Sequence, residues 1–146
     1  MVENFYKGLI RVDPAHKDEY KMRKDEYLKE LDELDDYIRD KFSNFTNRAF
    51  LIYHPSFGYF AEEYGLIQIS IEHEGKEPTP QVIQRCIDFA RKYNLSYVYV
   101  EPQFPTKHAE TIAREIGGRV ILIDPLPQSY IRGMKIVADS LHKEFE

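Results

Sequence analysis

Apolar positions follow a helical pattern in the first third of the chain. From Pro14 to about Asn44, apolar residues recur every three or four positions between charged ones, which predicts one long amphipathic helix. The apolar stripe consists of Tyr20, Tyr27, Leu31, Leu34, Ile38, Phe42 and Phe45. Asp13 and Pro14 precede it as an N-cap and a first-turn proline. Such a stripe indicates either a helix packed on its own domain or a helix paired in a short coiled coil.

After this helix, short apolar runs alternate with helical segments. Continuous runs of Ile, Val, Leu and Tyr predict strands at Ala49–Tyr53, Leu66–Glu72, Ser96–Val100 and Arg119–Ile123. Helical patterns fall at about Ser56–Tyr64, Pro80–Tyr93, Thr106–Ile116 and Gln128–Glu144. Thr79 and Thr106 are predicted helix starts, and Gly117-Gly118 is a predicted helix end. The fold class is therefore α/β: a three-layer sandwich with a mainly parallel four-stranded sheet, preceded by the long N-terminal helix.

Composition narrows the class of protein. A chain of 146 residues, 42% of them hydrophobic, has the size and composition of one soluble domain with a core. A net charge of −5 without a basic stripe argues against a nucleic-acid partner. No apolar run approaches a membrane span, and Met1–Lys7 lacks the layout of a secretory signal. Cys86, the single cysteine, lies in an apolar helical pattern and is predicted to be a buried thiol.

Metal-capable side chains follow each predicted strand. His54, Glu72, Glu101 and Asp124 stand at or just beyond the four carboxyl ends. In an open parallel sheet these ends share one edge, where ligands bind, so an imidazole and a carboxylate there could face the same ion. Prolines follow His54 and Asp124 directly and favour extended geometry at the preceding residue. The remaining histidines are predicted to lie elsewhere: His73 on the opposite side of its strand, and His16, His108 and His142 on the surface.

Motifs of common enzymes are absent from the sequence. There is no glycine-rich phosphate loop, no Gly-x-Ser-x-Gly elbow and no HExxH motif, so we do not expect an enzyme. A metal-dependent hydrolase built on His54, Glu101 and Asp124 is an alternative, but such a site usually needs further ligands that the sequence does not indicate.

Five short motifs resemble those of one family. In order they are His54-Pro55-x-Phe57-Gly58-Tyr59-Phe60, Tyr64-Gly65-Leu66, Glu74-Gly75-x-Glu77-Pro78, Glu101-Pro102-Gln103-Phe104 and Asp124-Pro125-Leu126. From about Val12 to its end the chain resembles the C-terminal half of the zinc- and manganese-type (cluster 9) substrate-binding proteins of metal ABC transporters.

The resemblance implies a metal site. His54 matches the family's third metal ligand and Asp124 its fourth, and histidine at position 54 favours zinc over manganese. Glu72 and Glu101 have two interpretations: each could hold the His54 imidazole in one tautomer, or could be a solvated strand-end or helix-capping carboxylate, which we favour.

The resemblance also implies a partition of the chain. Residues 1–46 would be the interlobe backbone helix with a remnant of an N-terminal lobe, and residues 47–146 the C-terminal metal-binding lobe. Complete members add two histidine ligands from the N-terminal lobe, act outside the cytoplasmic membrane, and deliver the ion to a permease powered by an ATPase. The sequence begins inside this architecture, so we expect a half site that binds zinc weakly. We also expect a homodimer formed through the apolar face that the missing lobe would cover.

Overall fold

The computed structural model describes residues 1–45, 47–73 and 75–145, so Glu74 of the third motif lies outside the described residues. The chain divides into two compact units, Met1–Tyr37 and Ile38–Glu146. Three helical elements begin the chain: α1 (Val2–Val12), a 3₁₀ turn (Pro14–His16) and α2 (Lys17–Phe42). The predicted long helix is therefore present, with its first turn wound as 3₁₀. The proposed partition into 1–46 and 47–146 stays a prediction.

Asp13 joins the elements of the first unit, although in a different way from the one expected. Its side chain makes no cap hydrogen bond to the backbone of the following turn. Instead the carboxylate accepts from Nδ1 of His16 at 2.8 Å and from the Tyr20 hydroxyl at 2.7 Å. A separate link joins α2 to α1, where the Lys24 ammonium donates to Glu3 at 2.8 Å. Asp13 is thus the N-cap residue and Pro14 the first-turn proline, as predicted, but the Asp13 carboxylate binds two side-chain donors and makes no cap hydrogen bond.

The apolar stripe of α2 is buried only towards its carboxyl end. Leu34, Ile38 and Phe42 are 4% exposed or less, whereas Tyr27 is 37% exposed. In α1 the side chain of Phe5 is 72% exposed. The first unit therefore presents apolar surface to solvent, as the dimer hypothesis requires, and the dimer itself stays a prediction.

A four-stranded parallel sheet forms the second unit. Its strands are β1 (Ala49–Ile52), β2 (Ile67–Ser70), β3 (Tyr97–Val100) and β4 (Arg119–Leu122), in the spatial order β2-β1-β3-β4. All three pairings are parallel. The connecting and following helices are α3 (Gly58–Tyr64), α4 (Pro80–Lys92), α5 (Lys107–Ile116) and α6 (Tyr130–His142). The predicted α/β fold is confirmed, with strand ends displaced by at most two residues.

One face of the sheet packs against α4 and α5. Leu51 and Val98 belong to a buried cluster that includes Ile87 of α4 and Ile112 of α5. Cys86 lies in the same cluster, 3% exposed, and this burial raises the pKa of its thiol to about 11. The prediction of a buried thiol is confirmed.

The opposite face is covered by α6, α3 and the last turn of α2. The rings of Phe50 and Tyr99 meet edge to face, with centroids 6.4 Å apart. The Tyr99 hydroxyl donates to the carbonyl of Ser140 in α6 at 2.8 Å. Phe42, at the end of α2, contacts Phe60 of α3 edge-on at 6.2 Å. With helices on both faces, the central strands are buried on both sides, which explains their unbroken apolar sequences.

Local chemistry sets the ends of the helices. Thr79 caps α4 by accepting from the Val82 amide at 3.4 Å, as predicted. Thr106 is the N-cap of α5 but makes no side-chain cap; its hydroxyl donates to Glu110 at 2.6 Å. Gly117 ends α5 at φ +69°, the left-handed conformation that glycine adopts without strain. Within the described part of the chain, no helix has both the length and the apolar character needed to cross a membrane.

Glu144 connects the C-terminal residues to the start of β3. Its carboxylate accepts from the amides of Ser96 at 2.5 Å and Tyr97 at 3.0 Å. Burial raises the pKa of Glu144 to about 7, even though these two hydrogen bonds act in the opposite direction. Because the folded-state pKa lies above the ordinary value, folding binds a proton, and the resulting stabilisation is lost as the pH rises from about 4.5 to about 7.

We therefore expect the free energy of unfolding of Glu144→Gln to depend less on pH than that of the unchanged protein. Between pH 5 and pH 8 the free energy of unfolding of the unchanged protein should fall by about 1–2 kcal/mol more than that of Glu144→Gln. This value is smaller than the full pKa shift would give, because the Glu144 side chain is partly exposed. Urea unfolding at both pH values measures it. Glu62→Gln, at an exposed position, is the matched control and should retain the pH dependence. Equal slopes for all three proteins would contradict the assignment to Glu144.

Candidate metal site

The four strands bring the predicted side chains to one edge of the sheet. Each of His54, Glu72, Glu101 and Asp124 lies one or two residues beyond the carboxyl end of its strand. Since the strand order is β2-β1-β3-β4, they follow each other along the edge as Glu72, His54, Glu101 and Asp124. Neighbouring strands are about 4.8 Å apart, so the strands that carry His54 and Asp124 are separated by about 10 Å, with β3 between them.

Glu72 holds the imidazole of His54. One oxygen of its carboxylate contacts Nδ1 of His54, and the other accepts from the backbone N–H of Gly75. The Glu72 residue is 3% exposed. The hydrogen bond with His54 and the one from Gly75 keep the pKa of the Glu72 carboxyl below its usual value, against the opposing effect of burial. Glu72 is therefore an ionised, buried acceptor at the edge of the sheet.

This contact decides which nitrogen of His54 is available. An ionised carboxylate can only accept, so the proton must be on Nδ1, and the lone pair of the neutral ring lies on Nε2. The ring also stacks on Phe104, with centroids 5.0 Å apart and planes at 21°. With 42% of its side chain exposed, His54 can reach a ligand from solvent. A carboxylate that fixes the tautomer in this way is the usual partner of a metal-binding histidine.

Glu101 organises the backbone that carries His54. It is fully buried, at 0% exposure. Its carboxylate accepts from the hydroxyl of Ser56 at 2.6 Å and from the backbone N–H of His54 at 3.3 Å. These two hydrogen bonds fix the turn from His54 to Ser56, which contains Pro55.

Asp124 stands apart from this network. Its side chain is exposed, and Oδ1 accepts from the backbone N–H of Leu126 at 2.9 Å. This is an Asx turn, in which an aspartate side chain bonds its own backbone two residues on. It leaves Oδ2 available to a ligand. No hydrogen bond joins Asp124 to His54, and the described residues contain no group of three or more His, Cys, Asp or Glu side chains that could hold a metal ion.

The structure corrects what we expected of Glu72 and Glu101 at the sheet edge, and of His142 in α6. The favoured interpretation of Glu72 and Glu101 as solvated or helix-capping carboxylates is wrong, because both are buried acceptors. The other interpretation, a carboxylate that holds the His54 imidazole, agrees with the contact of Glu72, whereas Glu101 bonds the His54 backbone. Their donors come from turn residues whose contribution sequence reasoning missed, Gly75 and Ser56. Gly75 could have been indicated by its position three residues after Glu72, whereas Ser56 lies 45 residues from Glu101 and meets it only in the folded chain. His142, expected on the surface, is half-buried, with its ring 5.0 Å from that of Phe45.

Replacing Glu72 by glutamine should release the tautomer of His54. A glutamine side chain can either accept from or donate to Nδ1, so the ring no longer has to carry its proton there. Nitrogen-15 chemical shifts of the imidazole in the metal-free protein should change from a single Nδ1–H form to a mixture of tautomers. His108 serves as an internal reference that should not change. Persistence of the Nδ1–H form alone would show that the ring is held by another group.

Replacing Glu101 by glutamine should destabilise the fold at the His54 turn. The amide presents an NH₂ group to one of two donors, so a buried hydrogen bond is lost at a cost of about 1–3 kcal/mol. Urea unfolding measures this cost, and exposed Glu62→Gln on α3 is the control, expected to stay within about 0.5 kcal/mol. A Glu101→Gln protein as stable as the control would mean that the two hydrogen bonds contribute little.

Comparison with known proteins agrees with the motif-based identification. The family model described as zinc-uptake complex component A, periplasmic (ZnuA), matches residues 1–144. The chain is 30% identical over 127 residues to the high-affinity zinc uptake system protein ZnuA of Bacillus subtilis (strain 168), covering 86% of this chain and 40% of that protein. It is 31% identical over 141 residues to the zinc-binding protein AdcA of Streptococcus pyogenes serotype M1, covering 95% of this chain and 27% of that protein.

A solved structure gives the same result for the fold. A crystal structure of ZnuA superposes with a TM-score of 0.94 at 38% sequence identity, covering 97% of this chain and 56% of that one. The chain therefore spans less than half of the curated relatives and a little more than half of the solved one. The predicted resemblance to metal-transport receptors is confirmed, and the chain belongs to the family of periplasmic zinc-uptake component A proteins.

Proposed function

We propose that this chain supplies two of the protein ligands of a zinc site in a substrate-binding receptor, and that it binds its ion without catalysing a reaction. The observation that carries the proposal is the contact between Glu72 and Nδ1 of His54, which leaves Nε2 free. A histidine whose second nitrogen is held by a buried carboxylate is oriented for metal binding. The zinc ion is the cargo of the receptor.

Asp124 is the second proposed ligand. Its Oδ2 atom is not used in the Asx turn, and the side chain is exposed at the edge that carries His54. The two residues lie on strands about 10 Å apart, and each side chain extends several ångströms from its backbone. An ion above β3 could therefore accept one imidazole nitrogen and one carboxylate oxygen, at the usual distances of about 2.0–2.2 Å.

Two ligands complete only half of a tetrahedral shell. Zinc in proteins takes four ligands, drawn from histidine, cysteine, carboxylate and water. We infer that the other ligands of a complete receptor come from residues outside this chain, as the family resemblance implies. The isolated chain would then bind zinc much more weakly than a whole receptor, because water would have to fill the remaining positions.

The proposed cargo is zinc rather than manganese. The His54 imidazole suits zinc, whereas manganese is better served by oxygen ligands. The names of the related proteins from Bacillus subtilis and Streptococcus pyogenes also refer to zinc. By the same resemblance we propose that the complete receptor acts outside the cytoplasmic membrane and delivers the ion to a permease powered by an ATPase, and that this chain corresponds to its C-terminal lobe.

A second candidate function is an interaction module that dimerises through its N-terminal helices. The exposed apolar side chains of Phe5, Val12 and Met22 favour it. Light scattering separates the two ideas, because a monomer at high concentration would contradict the dimer while leaving zinc binding unaffected. A hydrolase receives no comparable support, since the described residues offer no third ligand beside His54 and Asp124.

The ligand assignment predicts the result of two substitutions. His54→Ala and Asp124→Ala should each weaken zinc binding at least 10-fold, because each removes half of the donor set that this chain supplies. His108→Ala, on α5, is the matched control and should bind zinc as the unchanged chain does. Calorimetry with zinc chloride in metal-free buffer measures the affinity. Unchanged binding by both site variants would refute the assignment, and tight one-to-one binding by a demonstrated monomer would refute the half site.

A further inference from the structure

The exposed Asp124 depends on its loop for its position. The loop runs from the end of β4 at Leu122 to the start of α6 at Tyr130. The Asx turn fixes the carboxylate of Asp124 relative to Leu126, but it does not fix the loop relative to the rest of the fold. Whatever holds the loop against its neighbours therefore also determines where the Asp124 carboxylate lies along the sheet edge.

Pro127 contacts α6 at a glycine. Gly133 is buried in the first turn of the helix. A Cβ atom added to Gly133 would lie 2.1 Å from Cγ and 2.2 Å from Cβ of Pro127. Both distances are far below van der Waals contact, and the proline ring is fixed to its own backbone, so it cannot rotate aside as a long side chain would. The backbone of Gly133 does not need a left-handed conformation, so space alone requires glycine here.

The surroundings of this contact let the loop move more easily than the helix. A cavity of about 280 Å³ lies between the loop and α6, and its walls include Asp124, Pro127, Gly133 and Val137. The helix α6 is itself tied to the sheet, because Leu141 is fully buried and the carbonyl of Ser140 accepts from the Tyr99 hydroxyl. A side chain at position 133 would therefore displace Pro127 and the loop rather than the helix.

We infer that Gly133 is a positioning residue for the metal site. Because it has no side chain, Pro127 can pack directly against α6, and this packing determines the position of the Asp124 carboxylate. Asp124 and Pro127 are three residues apart on a loop whose backbone is restricted by two prolines. A displacement of Pro127 would therefore also move Asp124. This inference rests on the proposed role of Asp124 as a zinc ligand.

Gly133→Ala in the full chain tests the inference by two measurements. In the metal-free protein, amide hydrogen exchange at Leu126 should become faster, because Leu126 directly precedes the displaced Pro127 and its hydrogen bond to Asp124 would be strained. In a titration with zinc chloride followed by NMR, the dissociation constant should rise about 10-fold or more. Gly8→Ala is the matched control: Gly8 also lies in a helix, a Cβ there would meet nothing within 4 Å, and both measurements should stay unchanged.

Pro127→Gly tests the same contact by changing its other partner. It removes the ring that the new methyl would strike, so adding Gly133→Ala to Pro127→Gly should cause no further loss of zinc affinity. The two substitutions together should cost less than the sum of their separate effects. Pro127→Gly alone should speed exchange at Leu126, which keeps the inference testable if Gly133→Ala does not fold.

The outcomes separate the inference from the proposed function. If Asp124→Ala weakens zinc binding while Gly133→Ala leaves both measurements unchanged, the inference is wrong and the ligand assignment stands. If Asp124→Ala has no effect on zinc binding, the ligand assignment fails, and the inference about the metal site fails with it. Exchange at Leu126 then still reports whether Gly133 holds the loop.

Discussion

Parallel pairing of the four strands is the constraint on which the candidate site depends. Because β1 pairs with β2 and β3 in the same direction, and β3 pairs likewise with β4, every strand delivers its following residue to the same edge. If any one strand ran in the opposite direction, the residue that follows it would lie at the opposite edge of the sheet, roughly 15 Å away for a strand of four residues. Residues separated by up to 70 positions in sequence, such as His54 and Asp124, share an edge for this reason.

Two buried carboxylates shape this edge at an energetic cost. A carboxylate loses its hydration when it is buried, and that loss must be offset by hydrogen bonds from the protein. Glu72 receives donors from His54 and Gly75, and Glu101 from Ser56 and the His54 backbone. In both cases a donor belongs to His54, so the residue proposed to bind the metal is held through its ring and through its backbone. Such an arrangement lowers the cost of ordering the imidazole when an ion binds.

The two proposed ligands, His54 and Asp124, differ in how firmly the structure holds them. His54 is stacked on Phe104 and bonded to Glu72, whereas Asp124 is exposed and bonded only within its own loop. The imidazole is therefore held in one orientation before any ligand binds, whereas the Asp124 carboxylate is more adjustable. The cavity beside the Asp124 loop gives that loop room to move, while the Pro127–Gly133 contact limits the movement. If the proposed ligands are correct, the packing of α6 contributes to zinc affinity together with the ligands themselves.

Apolar runs, turn residues and short motifs were sufficient to predict the α/β fold, the four strands, the order of the helices and the family. They work because buried strands need continuous apolar sequence, and because His54-Pro55 and Asp124-Pro125 are local signals. The burial of Glu72 and Glu101 could not be predicted, since His54 and Ser56, which supply three of their four hydrogen bonds within the described part of the chain, are distant in sequence and come near only on folding. The N-cap position of Asp13 was predicted correctly, but the binding of its carboxylate by the side chains of His16 and Tyr20 was not. The need for glycine at position 133 likewise arises only when α6 meets Pro127, a contact that no local pattern encodes.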